Sequence, residues 1–246
     1  MQFETRRLGR TAVEVTTMGL GCATLGGNMD AVTDAAARLI VVDAYDTGVR
    51  YFDTAPFYGY GRSEHAVGDE LRGREGWVLS TKVGRLLKPR RKPQDASDQW
   101  RNPFPFEPVF DYSYDGIMRS YEHSLQRLGL NRIDILYLHD VDIFTHGSQA
   151  AQQKMFRQAM DEAYKAMDEL RRSGEIKAIG LGANEAQPIA DAMQHGGERQ
   201  HEANVLQRGR VFILCCAQVH DRVGQRTVIS DAACEHVTHV VLDHFV

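Results

Sequence analysis

Five times along this chain a short apolar run is followed by a longer stretch whose apolar residues recur at helical spacing, and this alternation constrains the fold more than any other feature. The runs at 17–22, 49–54, 77–83, 133–139 and 176–181 read as strands, and the stretches at 33–47, 63–71, 115–128, 152–172 and 185–194 read as helices. Ser63 stands where it could cap a helix start, and Gly48, Gly129 and Gly174 follow three helix ends, where left-handed backbone often closes a helix. Strands that alternate with helices pair in parallel through crossover connections. A closed β/α barrel and an open doubly wound sheet both satisfy the pattern. A chain of 246 residues suits a single barrel, although an average domain is nearer ~150.

Three regions interrupt the rhythm. Residues 3–15, ahead of the first run, read as a hairpin. The connection 84–113 holds Pro89, Pro93, Pro103, Pro105 and Pro108, the basic run KPRRKP, and Trp100, Phe104, Phe106 and Phe110; a connection this long is usually a functional wall or lid. Past Gly196 the rhythm stops. Residues 197–246 contain half of the ten histidines, three of the four cysteines and no lysine, and only 211–216 and 238–245 read as strands. The sequence thus divides into a barrel-like portion, 1–196, and an atypical tail, 197–246.

Composition excludes several classes. With 29 basic and 33 acidic residues the net charge is −4, which disfavours nucleic acid as a partner, because phosphate binding needs a concentrated positive surface. Cys22, Cys215, Cys216 and Cys234 form no CxxC pair, so neither a disulfide framework nor a zinc ribbon is expected. His236 and His239 lack a companion metal motif, and no metal site is expected. No run approaches the ~18 apolar residues of a membrane span, and MQFETRRLGR has no signal core. A soluble cytoplasmic protein with reduced thiols is the expectation.

The candidate chemistry lies at strand ends. Asp53 closes RYFDT, Lys82 closes WVLSTK and His139 closes DILYLH, while Tyr58 follows Asp53 by five residues in DTAPFYG. In a barrel such positions converge on the face where active sites sit. Singly, each has a plain structural reading: Asp53 as a loop cap, Tyr58 and His139 as half-buried polar residues, Lys82 as a surface charge. Together they form a coherent set. A phenol titrates near ~10, and a neighbouring ammonium stabilises its phenolate. An Asp keeps that ammonium charged and aimed, and a His can hydrogen-bond a reacting oxygen. Carbonyl and alcohol interconversion suits this set, with a nicotinamide carrying hydride.

FDTAPFYGYGRSEHAVGDELRG, LSTKVG, DILYLHD and GEIKAIGLGANE, together with MGLGCATLGG, resemble the aldo-keto reductases over residues 5–196, and most of all the aldose 1-dehydrogenase and pyridoxal dehydrogenase branch. The resemblance implies a TIM-type (β/α)8 barrel that binds NAD or NADP without a Rossmann domain and acts on a small sugar or aldehyde. It implies a catalytic tetrad of Asp53, Tyr58, Lys82 and His139. Asp53 and Asn184 would meet the cofactor, Asn184 through the nicotinamide carboxamide. The family commonly has Ser-Asn where this chain has Ala183-Asn184. The family's later strands and pyrophosphate loops are not recognisable after Gly196, so the barrel is expected to be incomplete, with a replaced or frameshifted ending. Two functions follow: an active NAD(P)-dependent oxidoreductase, or a catalytically impaired relative without a complete cofactor site. The exact substrate, the choice of nucleotide and the oligomeric state are not encoded in the motifs.

Overall fold

A computed structural model describes residues 3–9, 11–28, 30–92, 99–197 and the backbone of 212–215. The chain opens with an antiparallel hairpin, β1 (Thr5–Arg7) and β2 (Glu14–Thr16), in which Arg6 pairs with Val15. Then come β3 (Met18–Gly21), α1 (Asp34–Asp46), β4 (Tyr51–Asp53), α2 (Arg62–Leu71) and β5 (Val78–Val83). An antiparallel ribbon, β6 (Arg85–Pro89) and β7 (Phe106–Phe110), precedes α3 (Tyr114–Leu128) and β8 (Ile135–His139). The short α4 (Ile143–His146) leads into α5 (Gln149–Gln158), α6 (Tyr164–Ser173), β9 (Ala178–Gly182) and α7 (Ala186–Gly197), and β10 (Phe212–Cys215) is the last described strand.

One parallel sheet runs in the order β10, β3, β4, β5, β8, β9. All five strand–helix units expected from the apolar runs are present, with no end shifted by more than three residues. The run at 211–216 is a strand too, paired in parallel with β3 through Phe212 and Met18. The second strand-like run, 238–245, lies outside the described residues, as do His236, His239, Cys216 and Cys234.

The two faces of the sheet bury different layers. Leu20, Phe52, Leu79, Leu136 and Leu138 point outward into the main core, against α1, α2, α3 and α6. The helices answer with apolar positions at helical spacing: Ala37, Val41 and Ala44 on α1, and Ile117, Tyr121 and Leu128 on α3. On the inner face Tyr51, Ile135, Tyr137 and Ala178 pack with Leu8, Val13 and Val15, so the N-terminal hairpin plugs the lumen at the end opposite the strand C-termini. Thr33 and Ser113 cap α1 and α3 by accepting from Ala36 N and Gly116 N.

Three local expectations need correction. Ser63 does not cap α2; Gly61 holds that position, and Ser63 lies fully buried inside the helix, its hydroxyl 2.7 Å from the Cys22 carbonyl and 2.8 Å from Thr54 Oγ1. The stretch 152–172 starts earlier, at Gln149, and is interrupted by a π-turn at Ala159–Ala163, which keeps Ala159, Met160 and Ala163 on the buried face between α5 and α6. The connection 84–113 is not a plain loop but carries the β6–β7 ribbon. Pro108 is tolerated there, opposite Leu87, because a two-stranded ribbon has free edges. Among the described residues no helix is long and apolar enough to cross a membrane.

Candidate functional site

The register of the sheet brings the strand ends together. Asp53 of β4 lies level with Ser80 of β5, Lys82 with Tyr137 of β8, and His139 with Gly182 of β9. Because side chains alternate across a strand, Asp53, Lys82 and His139 all face the lumen. Lys82 donates from Nζ to Asp53 Oδ2 at 2.7 Å and to the Thr54 carbonyl at 2.9 Å. Both partners of this ion pair are buried, with 4% and 5% of their side chains exposed.

Tyr58 reaches the same rim from the β4–α2 loop. That loop is held by the close approach of two glycines. A Cβ on Gly26 would lie 2.5 Å from Gly59 N and 2.6 Å from the Tyr58 carbonyl carbon, and Gly59 itself adopts a φ of +61°. The returning connection clamps the loop from outside, with Arg101 N donating to the Gly27 carbonyl and Phe104 N to that of Gly59. Trp100, almost fully buried, packs its ring 5.9 Å from Tyr58 and 5.4 Å from Phe57. The Lys82 ammonium then sits 4.8 Å from the centre of the Tyr58 ring, and the His139 ring meets that ring edge-on at 6.2 Å.

Electrostatics divide the labour. Burial works against the Lys82 charge, but the Asp53 carboxylate and the Tyr58 hydroxyl more than reverse it, holding the ammonium above its ordinary range. His139 is pushed the other way: burial, then the Arg85 guanidinium, then Lys82 hold it well below the usual imidazole value, so it is neutral near pH 7.

Several residues at the rim carried no motif. Arg85, the first residue of the ribbon, lies between the rings of Phe57 and Phe110, 3.8 and 4.6 Å from their centres, and ion-pairs with Asp140. Asp140 follows His139 with a φ of +54°, a conformation Asp tolerates better than most residues. Tyr112 donates to the carbonyls of His139 and Asp140 from 2.8 and 2.7 Å. Asn184 follows β9 as expected, and its Nδ2 donates to Asp140 Oδ1 at 3.2 Å and Asp142 Oδ2 at 3.1 Å. Those two carboxylates fix the amide's orientation, with Nδ2 turned toward them. A positional signal for such residues exists in the strands: Tyr51, Ser80 and Tyr137 each stand two places before Asp53, Lys82 and His139, and so share their face. Among the described residues no group of three metal-ligating side chains converges.

A model of the Aldo/keto reductase family matches residues 17–205. The chain is similar to pyridoxal 4-dehydrogenase of Microbacterium luteolum, 46% identical in an alignment of 205 positions that covers 78% of this chain and 58% of the relative. It is also similar to D-threo-aldose 1-dehydrogenase of a Pseudomonas species, 35% identical over 80% of this chain and 57% of that protein. Among solved structures, an aldo-keto reductase from Bacillus halodurans in its holo form aligns with a TM-score of 0.58 at 26% identity, covering 79% of this chain and 55% of the other. The chain therefore spans a little over half the length of the curated relatives it matches. The ordered strand ends, the sheet that carries them and these matches agree that the chain belongs to the aldo/keto reductase family.

Proposed function

We propose that the chain is an NAD(P)-dependent oxidoreductase that interconverts a carbonyl and an alcohol on a small sugar or aldehyde, with Tyr58 as the proton donor and acceptor. The observation that carries this reading is a buried Lys82 held by Asp53 beneath the Tyr58 ring, at 2.7 and 4.8 Å respectively. A phenol is a poor acid near neutrality, and an adjacent ammonium in a low-dielectric site favours its phenolate. His139, kept neutral, cannot compete as the acid and is left to hydrogen-bond the reacting oxygen. Asp53 keeps Lys82 charged and aimed.

The residues present suit a nicotinamide. Asn184, anchored through Nδ2, offers its amide oxygen to a carboxamide, and Gly182 at the end of β9 places no side chain beside Lys82. When bound, the nicotinamide supplies the two-electron hydride chemistry. The ring-lined mouth of Phe57, Tyr58 and Phe110 suits a planar aldehyde or the apolar face of a sugar ring.

The test is turnover by the purified chain, read as NADH or NADPH absorbance, over a panel of aldoses and pyridoxal with each nucleotide. Tyr58→Phe lowers kcat by a factor of about 10²–10⁴, the range of general acid–base catalysis, and leaves nucleotide binding intact. Undiminished turnover in Tyr58→Phe removes the assignment, and an inactive parent chain that also fails to bind either nucleotide removes the function.

A further inference from the structure

Barrel interiors are usually filled by branched aliphatic side chains, but beneath the Asp53–Lys82 pair this lumen holds two phenols and a serine. Tyr51, Tyr137 and Ser80 are buried, with 0%, 3% and 0% of their surface exposed. The space for the two rings comes from their neighbours. A Cβ on Gly19 would lie 2.8 Å from the Tyr51 ring, and one on Gly180 would lie 2.7 Å from the Tyr137 ring.

The three hydroxyls are connected. Ser80 Oγ is 2.6 Å from Asp53 Oδ1, the Ser80 and Tyr51 oxygens are 3.2 Å apart, and those of Tyr51 and Tyr137 are 3.3 Å apart. The carboxylate can only accept, so the short bond takes the single Ser80 proton. Toward Tyr51 and the Phe52 carbonyl, at 3.2 and 3.4 Å, Ser80 Oγ is also placed as a donor, so these two longer contacts are left without its proton. Burial, and for both phenols the charge of Asp53, hold Tyr51 and Tyr137 above the ordinary phenol value, Tyr137 at about 12, so both remain protonated donors.

We infer that Ser80 is a positioning residue for Asp53, its hydroxyl holding Oδ1 so that Oδ2 faces Lys82, with the buried Tyr51 and Tyr137 rings closing the lumen behind it. The inference rests on the proposed role of the Asp53–Lys82–Tyr58 set and adds a layer behind it. Ser80 touches only the unused oxygen of Asp53, so its effect passes through the carboxylate.

Two readouts test this. In single turnover, Ser80→Ala lowers the rate of the chemical step about tenfold or more, the weight of one hydrogen bond to a charged group, with KM for substrate and nucleotide within about twofold of the parent. Tyr51→Phe keeps the ring and the Ser80–Asp53 bond, and its chemical rate stays within about twofold of the parent. An active parent whose Ser80→Ala variant keeps its chemical rate overturns the inference.

The second readout needs no turnover. A hydroxyl proton in a 2.6 Å bond to a buried carboxylate gives a slowly exchanging low-field proton resonance, present in the parent and lost in Ser80→Ala. Its absence from the parent spectrum overturns the inference even if the enzyme is active, and its presence in an inactive chain upholds the geometry while the functional reading fails. Should Ser80→Ala not fold, Ser80→Cys decides: the thiol fills nearly the same space, the low-field resonance is lost with the hydroxyl, and a resonance that persists overturns the inference.

Discussion

Replacing Lys82 with Met removes the ammonium but fills nearly the same volume, leaving the Asp53 carboxylate buried with Ser80 as its remaining side-chain donor. Breaking one side of a buried ion pair costs about 3–5 kcal/mol. The stranded carboxylate has an escape, which is to take a proton. From the ordinary Asp value of ~3.9, protonation at pH 7 costs no more than about 4 kcal/mol, and at pH 5 about 1.5 kcal/mol. The penalty of Lys82→Met is therefore close to 4 kcal/mol at neutral pH and falls to less than half of that at pH 5. Asp53→Asn behaves oppositely, because the stranded ammonium can only lose a proton, which becomes harder as pH falls. The double variant strands neither charge and costs less than the two single penalties summed, with a coupling of about 3 kcal/mol. Urea unfolding at pH 7 and pH 5, followed by circular dichroism with constant m-value, measures all four chains. A typical total stability of ~5–15 kcal/mol leaves the single variants measurable. Additive penalties in the double variant, or a Lys82→Met penalty equal at both pH values, would refute the argument that this pair is a mutually compensating buried charge.

His139, held below its unfolded value near 6.5, resists protonation in the folded chain, so its contribution is fully present above that pH and is lost as pH falls toward the folded value. Between pH 7 and 5 the loss is bounded by the unfolded value at about 2 kcal/mol, at 1.36 kcal/mol per unit, and His139→Gln flattens the fall in stability by up to that amount in parallel urea titrations. Gly180→Ala pushes a methyl toward the Tyr137 ring, where the Cβ would stand at 2.7 Å, and costs about 1–3 kcal/mol by overpacking. Pairing it with Tyr137→Leu recovers part of the loss, and no recovery argues against a lumen packed around that ring. Arg127→Met strands Glu64, whose side chain is fully buried and retains the Thr81 hydroxyl at 2.8 Å, and thermal unfolding at pH 7 shows a larger loss than at pH 5.

What the residues disclosed in order, and what they withheld, follows from the range of the forces involved. The strand–helix alternation is a local pattern, and so are the ionisable residues at strand ends. Asp53, Lys82 and His139 were legible because a polar side chain interrupting an apolar run is conspicuous. Ser80 and Tyr51 were not conspicuous, since serine and tyrosine are ordinary strand residues; only the period of two, counted back from Asp53 and Lys82, places them in the lumen. Ser63 misled for the complementary reason. A serine ahead of a helical pattern looks like a cap, yet its hydroxyl meets Cys22 and Thr54, the first of them 41 residues away. The Arg85–Asp140 pair, 55 residues apart, depends on β5 and β8 being neighbours, which no local pattern fixes.

The same reasoning explains why the ribbon escaped notice and why it matters to the site. Five prolines and a basic run outweighed the alternation in a segment whose strands have free edges and need few ladder bonds. Yet its first and last residues, Arg85 and Phe110, pair in register and bring a guanidinium between two rings beside His139. That placement gives Arg85 two effects, gripping Asp140, which in turn holds Asn184, and adding to the positive field that keeps His139 neutral. The two sides of the mouth, the proton transfer proposed at Tyr58 and the amide at Asn184, are thus joined through one residue of a segment that reads as a loop. A change at Arg85 alters both sides together, whereas a change at Asp142 acts on the Asn184 side alone.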